Sequence, residues 1–297
     1  MDANVFEQVE GRWQVRADAA WDHVLTQRPY ILDWITDVAK RAERLGKTLL
    51  AFSHYPALPL TLVRHGDHYE QTGTQDWLKR MPSLKSGRSL AHAGVRWHFS
   101  GHMHVAREVE FSGLLNVAVP SPVAYPGGYV EIICENNEVE YNFIRVDPTP
   151  GFGVASGAYH KQYGRNGPYQ QWTDALNTDS FAGFLQAHLV ALIESRHIPS
   201  DWPPKMQSKL GNPLVELFCS LRKNVKQANH GEAGFVSLRQ MLLDYYFLRA
   251  NDPGAMHIIS ADRIKLYRSL SDIASSSYTV DRTSDQIELL LTMLSNS

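Results

Sequence analysis

Two short apolar runs, Lys47-Thr48-Leu49-Leu50-Ala51-Phe52 and Gly94-Val95-Arg96-Trp97-His98-Phe99, have the length and composition of strands buried in a sheet. A helical pattern that takes in Tyr30-Ile31-Leu32-Asp33-Trp34-Ile35 and ends at Gly46 precedes the first of them, which predicts an α/β order. Leu114-Leu115-Asn116-Val117-Ala118-Val119-Pro120-Ser121-Pro122 and Tyr129-Val130-Glu131-Ile132-Ile133-Cys134 read as closing strands of the same sheet system. Asn136-Asn137, between two alternating runs, is a hairpin turn signal.

The pattern then changes. Asp147-Pro148-Thr149-Pro150-Gly151-Phe152-Gly153-Val154-Ala155-Ser156-Gly157 concentrates proline, glycine and small residues, the chemistry of a linker or turn. From Asp179 onward apolar residues recur at helical spacing. Phe181, Phe184, Leu185, His188, Leu189, Leu192 and Ile193 form one face, and Leu214, Leu217, Phe218, Leu221 and Val225 another after Asn212-Pro213. Leu238, Met241, Leu242, Tyr245 and Leu248 come before the Asp252-Pro253-Gly254 turn; Ile264, Tyr267, Leu270 and Ile273 follow it, then Ile287, Leu290, Leu291 and Leu294. The expectation is about five amphipathic helices with bundle-like connections. The chain thus divides into an α/β part over 1–148, a linker over 149–157 and a helical extension over 158–297. The extension shows no catalytic constellation. It could cover a sheet face, mediate self-association, or cap a site rim.

Composition narrows the class. At 297 residues, 43% hydrophobic and 20% charged, the chain has the make-up of a globular protein of one or two domains. No apolar run approaches the roughly 18–20 residues of a spanning helix, and Met1-Asp2-Ala3-Asn4 has no signal-peptide character, so a cytoplasmic address is the default expectation. The net charge of −2, with acids and bases interspersed, leaves no basic footprint for nucleic acid. Two cysteines, Cys134 and Cys219, lie in apolar sequence and read as packed, reduced thiols.

Candidate chemistry sits where the strands stop. Phe52-Ser53-His54-Tyr55-Pro56 and Phe99-Ser100-Gly101-His102-Met103-His104 each carry an apolar run directly into histidine. In α/β sheets the carboxyl ends of strands open onto the ligand crevice. His102 and His104 are one residue apart, so an extended backbone sends both imidazoles to the same side, with Gly101 allowing a tight turn. Neutral imidazole is a common ligand for zinc, manganese and iron, and three converging on one rim make a metal ion the expectation there. Of the thirteen histidines, His23, His65, His92, His98, His160, His188, His197, His230 and His257 read as ordinary hydrogen-bonded surface or core residues.

Residues from about Pro29 to Val146 resemble the C-terminal half of the calcineurin-like metallophosphoesterases, in particular the branch of bacterial cyclic-nucleotide-type phosphodiesterases. The resemblance rests on the helix with Tyr30-Ile31-Leu32-Asp33-Trp34-Ile35, on His54 as the fourth motif, and on Gly101-His102-x-His104 as the fifth. It implies the C-terminal half of an α-β-β-α sandwich and a dinuclear centre of two divalent ions (Mn, Fe or Zn). His54 and His102 would bind one ion and His104 the other. It also implies hydrolysis of a phosphoester substrate, a diester or monoester. The family's earlier motifs, Asp-x-His, Gly-Asp and Gly-Asn-His, do not occur in residues 1–53. Asp22-His23 does not have the first spacing, and Gly66-Asp67 lies on the wrong side of His54. The expectation is therefore a fragment: the missing motifs would lie in about 100 or more further residues preceding Met1, and residues 1–297 alone would hydrolyse little. The alternative is a noncatalytic, protein-binding module derived from a degenerate phosphoesterase, holding one ion on three histidines. Arg107, His65, His68 and Tyr69 read as solvated loop residues, and the connection from Ala57 to Arg88 as an irregular loop that carries selectivity.

Overall fold

The computed structural model describes residues 1, 5–16, 20–65, 68–71, 81–163, 173–221, 235–250 and 257–275, and its fold is mixed α/β. The chain forms two compact units, Met1–Thr149 and Pro150–Ser297.

In the first unit, β1 (Val5–Val9) and β2 (Arg12–Arg16) form a hairpin whose turn residues, Glu10 and Gly11, both have positive φ. Helix α1 (Ala20–Gln27) and helix α2 (Tyr30–Arg44) follow. Arg41 and Arg44 lie in the last turn of α2, where the helix dipole favours cations, and Gly46 leaves it with φ 62°. The principal sheet is built from β3 (Leu50–Ser53), β6 (Trp97–Ser100), β7 (Arg107–Phe111) and β8 (Leu114–Ala118), in the spatial order β3-β6-β8-β7. Strands β3, β6 and β8 are parallel and β7 is antiparallel to β8. Between β3 and β6 the chain forms the hairpin of β4 (Leu62–His65) with β5 (His68–Gln71), then helix α3 (Leu84–His92). The segment from Ala57 to Arg88 is thus not an irregular loop: it holds this hairpin and the start of α3, and residues 57–62 are buried.

Register decides what each face of the sheet carries. Ala51, His98 and Asn116 are aligned across β3, β6 and β8, and so are Ser53, Ser100 and Ala118. This face meets α1, with Trp21 edge-on to His98 at 6.2 Å between ring centroids. The fully buried Trp21, Val24, Leu58, Leu60, Leu90 and Leu114 belong to one core cluster. The opposite face carries Phe52 stacked on Phe99 at 5.4 Å.

Two strand expectations are corrected. The run ending at Phe52 is not a buried central strand: β3 lies at the sheet edge, no other described strand pairs with its outer side, and Phe52 is 50% exposed. Among the described residues, strands β9 (Gly128–Glu135) and β10 (Glu138–Arg145) pair only with each other rather than extending the main sheet. Strand β8 already has β6 and β7 on its two sides, and Pro120 and Pro122 cannot donate to a ladder. The β9–β10 turn is Asn136-Asn137, at φ 51° and 67°. Tyr141 of β10 reaches Trp97 and Phe99 edge-on and donates a hydrogen bond to Glu108. Cys134, expected to be packed, is free and exposed on this hairpin; the side chain of Cys219 lies outside the described residues.

In the second unit, α4 (Phe152–Tyr163) begins inside the stretch expected to be linker, so the turn is confined to about Pro148–Gly151, where Gly151 has φ 81°. Then come α5 (Thr173–Leu176) and a long helix in three parts: α6 (Phe181–Leu192), a π-helical turn Ile193–His197, and α7 (Ile198–Asp201). Helices α8 (Pro204–Gln207), α9 (Leu214–Leu221), α10 (Leu238–Ala250) and α11 (Ala261–Ser275) complete the described residues. Helix α10 is not amphipathic: Met241 to Leu248 are all buried. Asp244 is tolerated there because Arg263 pairs with both its oxygens at 2.7 and 3.2 Å, while Tyr267 and Gln240 donate to it at 2.7 and 2.9 Å. The expected turn at 252–254, Val225, His230 and the helix containing Ile287 to Leu294 lie outside the described residues. Among the described residues no helix is long and apolar enough to cross a membrane.

Candidate metal centre

His54 follows β3 directly, and His102 follows β6 after one glycine. Because β3 and β6 are adjacent and parallel, their carboxyl ends bring the two histidines together. Gly101 N–H extends the pairing by donating to the His54 carbonyl at 3.1 Å. The tight turn expected at Gly101 falls on His102 instead. Its φ is 66°, and Met103 N–H donates back to the Gly101 carbonyl at 2.8 Å, which closes a strained three-residue turn. His104 also has positive φ, 54°. Such backbone costs about 1–3 kcal/mol per residue and is held only where the surroundings over-determine it.

Nδ1 of His102 stands 3.2 Å from Nε2 of His54, with ring centroids 5.0 Å apart and planes at 73°. The Tyr55 ring packs against both, at 4.5 Å from His102 and 5.0 Å from His54. Two imidazole nitrogens bound to one tetrahedral ion at about 2.0–2.1 Å are separated by about 3.3 Å. The pair as it stands therefore suits half of one coordination shell. His104 is exposed and does not join them, and among the described residues no group of three or more His, Cys, Asp or Glu side chains is placed to hold a metal. The expectation that His102 and His104 project together assumed extended backbone, and left-handed residues at both positions remove that alternation.

Directly beneath the loop lies a polar cluster that the sequence reading did not single out. His98, fully buried, meets Asn116 Oδ1 through Nδ1 at 2.7 Å and Ser53 Oγ through Nε2 at 2.9 Å. Asn116, also fully buried, donates to Ser100 Oγ at 3.1 Å and accepts from Ala57 N–H at 2.8 Å. Trp21 Nε1 donates to the Tyr55 carbonyl at 3.3 Å. Burial pushes the His98 pKa down to about 4, against the opposing effect of the Asn116 bond, so the ring is neutral near pH 7. The signal in the sequence was polar residues inside apolar strand runs, at the alternate positions 98 and 100 and at 116.

Asp22 is committed to α3, accepting from Ser83 N–H at 3.0 and 3.1 Å and from the hydroxyls of Ser83 at 2.8 Å and Ser86. Tyr69 packs edge-on against Phe111 at 5.1 Å, Arg107 opens β7, and His65 and His68 end β4 and begin β5. Gly66 and Asp67 lie outside the described residues. Comparison with models of known protein families finds no match, and no curated protein matches the chain.

Proposed function

We propose that this chain carries the histidine side of a metal-dependent phosphoesterase site, in the C-terminal half of a metallophosphoesterase-type sandwich. The observation that carries the reading is the pair of imidazoles from adjacent parallel strand ends, nitrogen to nitrogen at 3.2 Å, beside a left-handed turn at His102. His54 and His102 would hold one divalent ion and His104 would contribute to a second, with the remaining donors supplied by residues beyond those described. Bound divalent ions neutralise phosphoryl oxygens and make hydroxide available near neutral pH. The protein's own part is to keep two imidazoles in place and to pack Tyr55 behind them, which limits their rotation.

A second reading is a noncatalytic module that binds a single ion, held on the His54–His102 pair rather than on three histidines, since among the described residues no group of three or more His, Cys, Asp or Glu side chains is placed to hold a metal. The test begins with translation of the source DNA upstream of the Met1 codon, followed by metal analysis and a chromogenic phosphodiester assay on the protein so defined. The phosphoesterase reading expects two ions per chain and turnover that His102→Ala abolishes. Full turnover in His102→Ala refutes it, and one ion per chain without turnover establishes the module.

A further inference from the structure

Apolar residues would fill the inner face of β3, β6 and β8 at little risk, because each buried polar group left unpaired costs about 1–3 kcal/mol. Four polar side chains stand there instead, and their bonds lead to one place. Asn116 Oδ1 holds Ala57 N–H at 2.8 Å, and Ser53 Oγ lies 2.7 Å from the Tyr55 carbonyl, so the segment after His54 is tied on both sides of Pro56. The Gly101 N–H bond to the His54 carbonyl secures the residue itself.

The bonding pattern fixes the protons. Asn116 must present its oxygen to Ala57 N–H, so Nδ1 of His98 carries the hydrogen that reaches the same oxygen. Nε2 of the neutral ring is then an acceptor, and the single Ser53 proton has two acceptors within reach, Nε2 at 2.9 Å and the Tyr55 carbonyl at 2.7 Å. Trp21 Nε1 also serves that carbonyl, so a Ser53 proton placed on Nε2 orphans no group, whereas one placed on the carbonyl leaves Nε2 without a donor.

From this geometry we infer that Asn116 and His98 are positioning residues for His54, acting through Ala57 and Ser53 to set its imidazole against His102 before any ion arrives. The consequence for metal affinity rests on the site reading given above; the positioning itself does not. The test uses the full chain with Asn116→Val, which fills the space without hydrogen bonds, Asn116→Asp, which keeps the acceptor oxygen, and Ser53→Ala. In metal-free protein, NMR reads the His54–His102 inter-ring contact and the exchange rate of the Ala57 amide. Asn116→Val is expected to unfold cooperatively yet lose the inter-ring contact, with Ala57 exchange faster by about tenfold or more. Asn116→Asp restores both, and Ser53→Ala shows a smaller loss, which keeps the inference testable should the valine variant not fold. In Co²⁺ titrations the same order appears as an affinity loss of about 10–100-fold for Asn116→Val. Unchanged inter-ring contact and Ala57 protection in folded Asn116→Val and Ser53→Ala overturn the inference. Loss of the contact in a protein whose wild type binds no Co²⁺ supports the positioning role and refutes the metal site instead.

Discussion

Replacing Asp22 by alanine removes a carboxylate that ties α1 to the start of α3. It accepts from the Ser83 backbone and from the Ser83 and Ser86 hydroxyls, and Ser83 is the N-cap residue of that helix. Loss of a cap-type acceptor and of a negative charge at a helix N-terminus together cost about 1–2 kcal/mol. Ser86 is only 5% exposed, so its stranded hydroxyl adds about 1–3 kcal/mol, less whatever local rebonding recovers. The expected destabilisation is about 2–4 kcal/mol, a fall in Tm of about 5–15 °C for a unit of this size. Urea unfolding followed by tryptophan fluorescence measures it, since Trp21 is the adjacent residue and fully buried. Asp22→Asn keeps an acceptor oxygen and loses the charge, so it should cost about half as much. A change within 0.5 kcal/mol in Asp22→Ala would refute the argument that this carboxylate is structural. Reduced Co²⁺ binding in a variant of unchanged stability would show that Asp22 is a ligand after all.

Two further outcomes follow from buried titratable groups. His98 is held at a pKa of about 4, below its ordinary 6.5, so as the pH falls the unfolded chain takes up this proton first; its contribution is full above about pH 6.5 and lost progressively toward pH 4. The loss is about 3 kcal/mol, and urea midpoints between pH 7 and pH 4.5 should show it in the wild type and not in His98→Gln. In the second unit, Asp244→Ala leaves Arg263 without its partner and the fully buried Tyr267 without an acceptor for its hydroxyl, and should destabilise by about 3–5 kcal/mol in chemical denaturation. A loss under 1 kcal/mol there would mean that water reaches the pair.

Local chemistry was the readable part of this sequence. Asn136-Asn137 announced its hairpin because few residues accept φ near +60°, and the apolar runs stopping at His54 and His102 announced strand ends. Pairing was less legible. Leu50-Ala51-Phe52 has the same apolar character at a sheet edge as it would have inside, and only the partners of β6 and β8 decide which it is. The polar cluster escaped for a related reason. His98 and Asn116 are 18 residues apart and make sense only once β6 and β8 align them. His104 went the other way: the reading assumed extended backbone where the chain is left-handed.

The π-helical turn at Ile193–His197 has a consequence for how the second unit tolerates change. Successive residues of an α-helix are rotated by about 100°, so one residue more or fewer in a turn re-aims everything beyond it. Trp202, one residue past α7, donates through Nε1 to the Tyr246 hydroxyl at 3.0 Å, and Tyr246 in turn donates to Asp201 at 2.8 Å. A π-helical turn takes up one extra residue over almost the same rotation, so deleting one residue within 193–197 would restore a regular α-helix and keep Trp202 and Asp201 in phase with α10, whereas the same deletion within α6 would swing both out of phase. The irregular turn is thus where this helix can lose a residue without re-aiming its far end, and a residue lost from α6 has no such compensation.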